Sequence, residues 1–190
     1  RAAQLDRLRD VPLGERHHRI SSCGHRLEQA FLLQPHQRGA DRCPRHPELR
    51  GRFTFVQLGP PSRSKIGHYR RLNARIEAKA AEVNAKWSDG GYLPVVLLRA
   101  HHEPSTVFRY YRAAELCYVS SLHDGMNLVA KEFVAARDDE RGVLVLSRFT
   151  GAARELTEAL IVNPYDLGEA SDALAAALRM PLSEQRERMR

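Results

Sequence analysis

From residue 53 onward the sequence predicts an α/β fold, a doubly wound parallel sheet covered by helices. Three observations carry this. Short apolar runs alternate with stretches of helical spacing. Several of the runs are apolar at successive positions, so both faces of the strand are buried, as in a parallel sheet between helix layers. One run, residues 116–121, passes through an Asp-Gly turn straight into a helical pattern, and ligands of such sheets bind beyond the carboxyl ends of strands.

The elements follow in order. Residues 53–58 (Phe-Thr-Phe-Val-Gln-Leu) form a strand of β-branched and aromatic residues. Residues 64–87 space Ile66, Tyr69, Leu72, Ile76, Ala80 and Val83 as one helix face. Residues 95–98 form a short buried strand. Residues 104–115 form a helix with Pro104 in its first turn, where its missing N–H costs nothing. Residues 116–121 form a strand, 127–137 a helix and 142–147 a strand apolar on both faces. Residues 150–156 form a short helix, 159–163 a strand and 166–180 a last amphipathic helix.

Asp124 to Glu132 is the most informative stretch. Asp124-Gly125 breaks the strand, and Asn127 caps the next helix. The first backbone N–H groups of a helix have no intrahelical acceptor and carry the positive end of its dipole, so this tip suits an anion. Glu132, just over one turn into the helix, is placed to take hydroxyls. An anion seat with a carboxylate for hydroxyls matches a nucleotide or nucleotide sugar.

The bulk numbers bound the rest. The 190 residues carry a net charge of +7, yet only four of 30 basic residues are Lys. That Arg excess reads as coding bias, with no basic stripe interleaved with aromatics, so nucleic acid is not an expected partner. No apolar run reaches the roughly 20 residues that span a bilayer, so no membrane partner is expected. The N-terminus shows no apolar leader core and no initiator Met, so the chain is expected to be a fragment. Three Cys give no disulfide framework; reduced thiols and a cytoplasmic location are expected.

Residues 1–45 differ from the rest. The first 50 residues hold ten Arg, no Lys, five of nine His and two of three Cys. The one helical fragment expected there is about 26–33. Cys23-x-His25 and Cys43-x-x-His46 supply zinc ligand types at a spacing awkward for tetrahedral zinc, so no metal is expected. The division expected is 1–45 as an irregular segment and 46–190 as a nucleotide-sugar-binding domain.

The segments DGMNLVAKEFVAARDD and GVLVLSRFTGAARELTEALIVNPYDLGEASDALAAALRMP closely resemble the C-terminal half of trehalose-6-phosphate synthases. The resemblance runs from about His46 to the end. It implies the C-terminal, Rossmann-like domain of a retaining GT-B glycosyltransferase, which moves glucose from UDP-glucose to glucose 6-phosphate without a metal or other cofactor. It implies a donor site at Gly125, Met126, Asn127, Leu128, Val129, Ala130, Lys131 and Glu132, with Glu132 on the ribose. Asp124 would meet glucose hydroxyls as the catalytic residue. Arg63 would bind the acceptor phosphate, a task suited to a bidentate guanidinium. His102 stands near the place of the family's uracil-stacking aromatic. A glucosylglycerol-phosphate synthase shares the donor domain and is the alternative enzyme. A noncatalytic sugar-nucleotide-binding subunit, associated with a complete synthase or a second copy, is the alternative class.

The family also carries an Arg-Leu-Asp-Tyr-x-Lys-Gly motif ahead of this region, whose two cations stabilise the departing diphosphate. The chain lacks that motif. Arg-, His- and Cys-rich sequence without Lys is what a shifted frame of a G+C-rich gene yields, and residues 1 to about 43 are expected to be such a translation. The family's N-terminal domain, with most acceptor contacts, is also missing. The expected consequence is a donor-binding domain with little or no transferase activity by itself.

Overall fold

The computed structural model describes the backbone of residues 29–33 and residues 46–59, 67–89 and 91–190. Six strands form one sheet in the order β3-β2-β1-β4-β5-β6. They are β1 (Gln29–Leu33), β2 (Thr54–Leu58), β3 (Val95–Leu98), β4 (Leu116–Val119), β5 (Val143–Ser147) and β6 (Leu160–Val162). The helices are α1 (Gly67–Trp87), α2 (Pro104–Ala113), α3 (Leu128–Ala136), α4 (Leu167–Arg179) and α5 (Leu182–Met189). Every element expected from residue 53 onward is present, with the 150–156 helix reduced to a 3-10 turn over Gly151–Arg154.

β2 pairs parallel with β3, and β4, β5 and β6 pair parallel in sequence. The doubly wound sheet is therefore as expected in both halves. β1 joins them and runs antiparallel to both neighbours, with Gln29 opposite Leu58, Leu33 opposite Thr54 and Leu32 opposite Leu116. This corrects the helical fragment expected at 26–33. A five-residue segment with four apolar residues fits helix and strand alike by periodicity. Here two strand edges lie on either side of it, and their N–H and C=O groups demand partners.

Alternation along the strands splits the core into two layers. Val56, Leu58, Cys117, Val119, Leu144 and Leu146 pack with Tyr111 of α2 and with Val129, Ala130 and Phe133 of α3. Leu116, Val143, Val145 and Val162 face the other way, against Ala177 of α4. All five β5 residues are buried. The Cys117 thiol is wholly buried, and that burial pushes its pKa far above the ordinary value, as expected of an inert core thiol.

Side chains also fasten elements end to end. Asn84, near the end of α1, donates from Nδ2 to Val95 O and accepts from Val95 N, both at 2.9 Å. It thereby pairs the first residue of β3 as a neighbouring strand would. Arg137, buried just past α3, donates from Nη1 to the carbonyls of Tyr111, Arg112 and Ala114 at 2.7–2.9 Å. Those are the orphan carbonyls at the end of α2. Arg112 reciprocates onto Ala136 O at 3.3 Å and pairs with Asp138. The C-terminal ends of the two helices thus cap one another.

α5 has no counterpart among the sequence expectations. None of its residues is buried, so it has no apolar stripe to read. It follows Pro181 and is supported by the Glu184–Arg188 pair at i,i+4 and by Gln185 Oε1 accepting from Gly142 N at 2.9 Å.

Candidate functional site

The carboxyl ends of the parallel strands lie along one edge of the sheet, and the loop from β4 to α3 lies on that edge. Asp124 organises it. Its Oδ1 accepts from Met126 N at 3.3 Å and Asn127 N at 3.1 Å, and its Oδ2 accepts from Asn127 Nδ2 at 3.0 Å. Asn127 stands at φ 51°, a left-handed conformation that Asn tolerates better than most residues. Its Oδ1 accepts from Ala130 N at 2.9 Å, which is the N-cap bond expected from the sequence. With 1% exposure, Asn127 is the buried keystone of the turn.

A second loop buttresses this one. Asp124 and Thr150 form a parallel bridge, with Asp124 N donating to Phe149 O at 3.3 Å and Gly151 N donating to Asp124 O at 2.9 Å. A Cβ at Gly151 would stand 1.8 Å from Gly125 O. At Gly125 itself a Cβ would meet nothing within 4 Å. The glycine required inside the fold is therefore Gly151, while the side of Gly125 faces open space.

The helix tip divides its N–H groups. That of Ala130 goes to the Asn127 cap. Among the described residues, no acceptor lies on the N–H groups of Leu128 and Val129, which point out of the first turn at the positive end of α3. The side chains of Val129 and Ala130 are buried in the core, Leu128 is half-buried and Met126 is 57% exposed. What this segment offers at the tip is main chain rather than side chain.

The remaining side chains are distributed as follows. Lys131 Nζ lies 2.7 Å from Glu155 Oε2, an ion pair on the flank of α3. Glu132 Oε2 accepts from the Tyr111 hydroxyl at 3.1 Å. His102, in the loop after β3, packs edge-on against Tyr110 with centroids 5.8 Å apart. Its Nε2 is buried with no hydrogen-bond partner among the described residues. Tyr110 and Tyr111 are neighbours on α2, so one helix holds both His102 and Glu132. Arg63 lies outside the described residues, as do Cys23, His25 and Cys43 of the zinc pattern. His46 Nε2 is 2.9 Å from Asp172 Oδ1, and no metal-holding group occurs among the described residues.

A cavity of about 240 Å³ lies elsewhere, between α3, β5 and the end of α5, lined by Val134, Leu144, Leu156 and Met189 among others. It contains none of the site residues. The helix tip is instead an open surface.

Tyr111 is not read as a site residue in the sequence, and Gly151 is read as small-residue packing at a helix start with a secondary part in shaping a sugar pocket. Tyr111 looks like any core aromatic on α2, and only its contact with Glu132 sets it apart. Gly151 looks like small-residue packing at a turn, and its pairing with Gly125 spans two loops. No helix in the described residues is long and apolar enough to cross a membrane.

Comparison with known proteins adds an independent line. The profile of glycosyltransferase family 20 matches residues 43–190. A trehalose-6-phosphate synthase of Enterobacter sp. (strain 638) is 42% identical over 154 residues, 80% of this chain and 32% of that protein. A solved structure of the E. coli enzyme, described as bound with UDP-2-fluoro glucose, aligns at a TM-score of 0.74 and 42% identity. It covers 76% of this chain and 32% of that one. A UDP-forming α,α-trehalose-phosphate synthase from Burkholderia xenovorans, in complex with glucose-6-phosphate, aligns at 0.73 and 42% identity over 75% of this chain and 31% of that one. The chain spans about a third of the length of these relatives.

Proposed function

The chain belongs to glycosyltransferase family 20, and on that premise we propose that it is the nucleotide-sugar-binding domain of a trehalose-6-phosphate synthase. The reaction of the whole enzyme would be transfer of glucose from UDP-glucose to glucose 6-phosphate, with retention at the transferred carbon. The observation that carries this is the α3 tip: two outward N–H groups at Leu128 and Val129, with the Glu132 carboxylate one turn further on. The diphosphate sits at the N–H groups, where helix dipole and unpaired donors both favour negative charge. Glu132 takes the ribose hydroxyls, and His102 stacks on the uracil. The relatives' complexes with a UDP-glucose analogue and with glucose-6-phosphate support this choice of ligands.

Asp124 then has two tasks. Its carboxylate shapes the loop through three hydrogen bonds, and its remaining lone pairs face glucose hydroxyls. Arg63 binds the acceptor phosphate. Lys131 adds positive potential beside the helix tip, tempered by its pair with Glu155. Residues 46–190 make up the donor domain, and residues 1–45 are a non-family segment whose β1 pairs into its sheet. The domain works in the cytoplasm, with a complete synthase or a second copy as its partner.

Transfer also needs charge on the departing diphosphate. The chain has no Arg-Leu-Asp-Tyr-x-Lys-Gly motif to supply it. One neutral oxyanion donor is worth about 2.7–4 kcal/mol, and two cations more. The chain alone therefore binds donor and turns over little or none.

An NMR titration with UDP and UDP-glucose tests the reading. The expected result is saturable shifts at the amides of Leu128 and Val129, with no trehalose 6-phosphate formed when glucose 6-phosphate is added. Absence of shifts at these amides at about 10 mM UDP, weaker than any useful site, would sink the donor assignment. Product formation would sink the inactivity.

A further inference from the structure

We propose that Tyr111 is a positioning residue, holding the Glu132 carboxylate in the orientation that meets the ribose hydroxyls; this rests on the donor-site reading above. The Tyr111 ring is 0% exposed, and its hydroxyl donates to Glu132 Oε2 at 3.1 Å. The ring is fixed on both sides. Phe108 stands edge-on at 5.6 Å and Phe133 at 6.2 Å, with interplanar angles of 88° and 71°. The main chain behind it is fixed too, because Arg137 Nη1 donates to Tyr111 O at 2.9 Å. A phenol anchored in this way is a fixed point in space.

Glu132 by contrast is partly exposed and has three side-chain torsions. A hydrogen bond from a buried phenol to an ionised carboxylate is charge-assisted and directional. It engages Oε2 and leaves Oε1 with no assigned bond among the described residues. That is the arrangement a ribose needs: one oxygen held by the protein, the other presented to ligand. The freedom Glu132 would otherwise lose on binding is already restricted in the fold.

The same contact has a plain structural use, since a buried phenol needs an acceptor. The two roles separate on ribose chemistry. Tyr111→Phe keeps the ring and removes only the hydroxyl. Binding of UDP and of 2′,3′-dideoxy-UDP is followed by amide shifts for the wild-type chain, Tyr111→Phe, Glu132→Ala and the double variant. The expected result is UDP weakened about three- to tenfold by Tyr111→Phe, the size of one hydrogen bond. Dideoxy-UDP should change by less than about twofold, and Tyr111→Phe should add nothing in the Glu132→Ala background. Equal losses for both nucleotides, or no loss for UDP, would overturn the proposal. If the wild-type chain binds UDP no better than dideoxy-UDP, the ribose role of Glu132 fails, and this inference with it. If the wild-type chain discriminates and Tyr111→Phe leaves that discrimination intact, only this inference fails.

Discussion

Replacing Gly151 by Ala should displace the loop between β4 and α3 while leaving the sheet intact. The added Cβ would stand 1.8 Å from Gly125 O and 2.9 Å from Gly125 C, both backbone atoms. Real Cβ atoms do not approach an oxygen closer than about 3.0 Å, so one loop must retreat by roughly 1.2 Å or more. The bonds between the loops are Gly151 N to Asp124 O at 2.9 Å and Asp124 N to Phe149 O at 3.3 Å. A shift of that size breaks or weakens both. At about 0.5–1.5 kcal/mol each, the loss comes to about 1–3 kcal/mol, which is also the usual cost of overpacking. Urea denaturation should show the midpoint falling by that equivalent with the slope unchanged. Amide shifts should cluster at residues 121–129, and the UDP-induced shifts of Leu128 and Val129 should weaken or vanish. An Ala variant with the wild-type midpoint and wild-type amide positions from Asp124 to Val129 would refute the claim that the two loops are locked back to back.

Two further outcomes follow from the same structure. Asn127→Gly should cost less than Asn127→Ala, because both lose the side-chain cap on Ala130 N but Gly accepts the left-handed φ of 51° while Ala is also strained there; the Ala variant should lose about 2–3 kcal/mol in chemical denaturation. Cys117 should resist thiol reagents until the protein unfolds, and its titration sets a slope in stability. Burial raises its pKa in the folded state, so the favourable contribution is fully present below the unfolded value of about 8.5 and is lost as pH rises above it. Unfolding free energy measured between about pH 8.5 and 10 should therefore fall, and Cys117→Ala should flatten that slope; an unchanged slope in the variant would count against it.

Much of the site was legible from residues alone because its chemistry is local. Asp124-Gly125 must break a strand, and Asn127 caps a helix three residues before Ala130, so both contacts follow from spacing along one segment. Glu132 was placed near the tip by helical geometry. Its partner Tyr111 was not, because the two are 21 residues apart and the pairing exists only where α2 and α3 pack side by side. The same holds for Gly151, whose lack of a side chain has meaning only against Gly125 O across the parallel bridge. α5 escaped because none of its residues is fully buried, and packing on the core through Met189 makes no apolar period.

By itself the sequence determined the order of strands and helices from residue 53 to residue 180, the double-sided burial of β5 and the capped turn before α3. All of these rest on apolar periodicity and capping, which act within one turn or one strand. Tertiary structure alone decided the direction of β1, the neighbours of each strand and the distant partners of Glu132 and Lys131, Tyr111 and Glu155. β1 shows the reason most directly. A mostly apolar pentapeptide has no strong preference of its own, and its conformation is set by the unpaired N–H and C=O groups of β2 and β4, which the chain brings to it from more than 20 and more than 80 residues away.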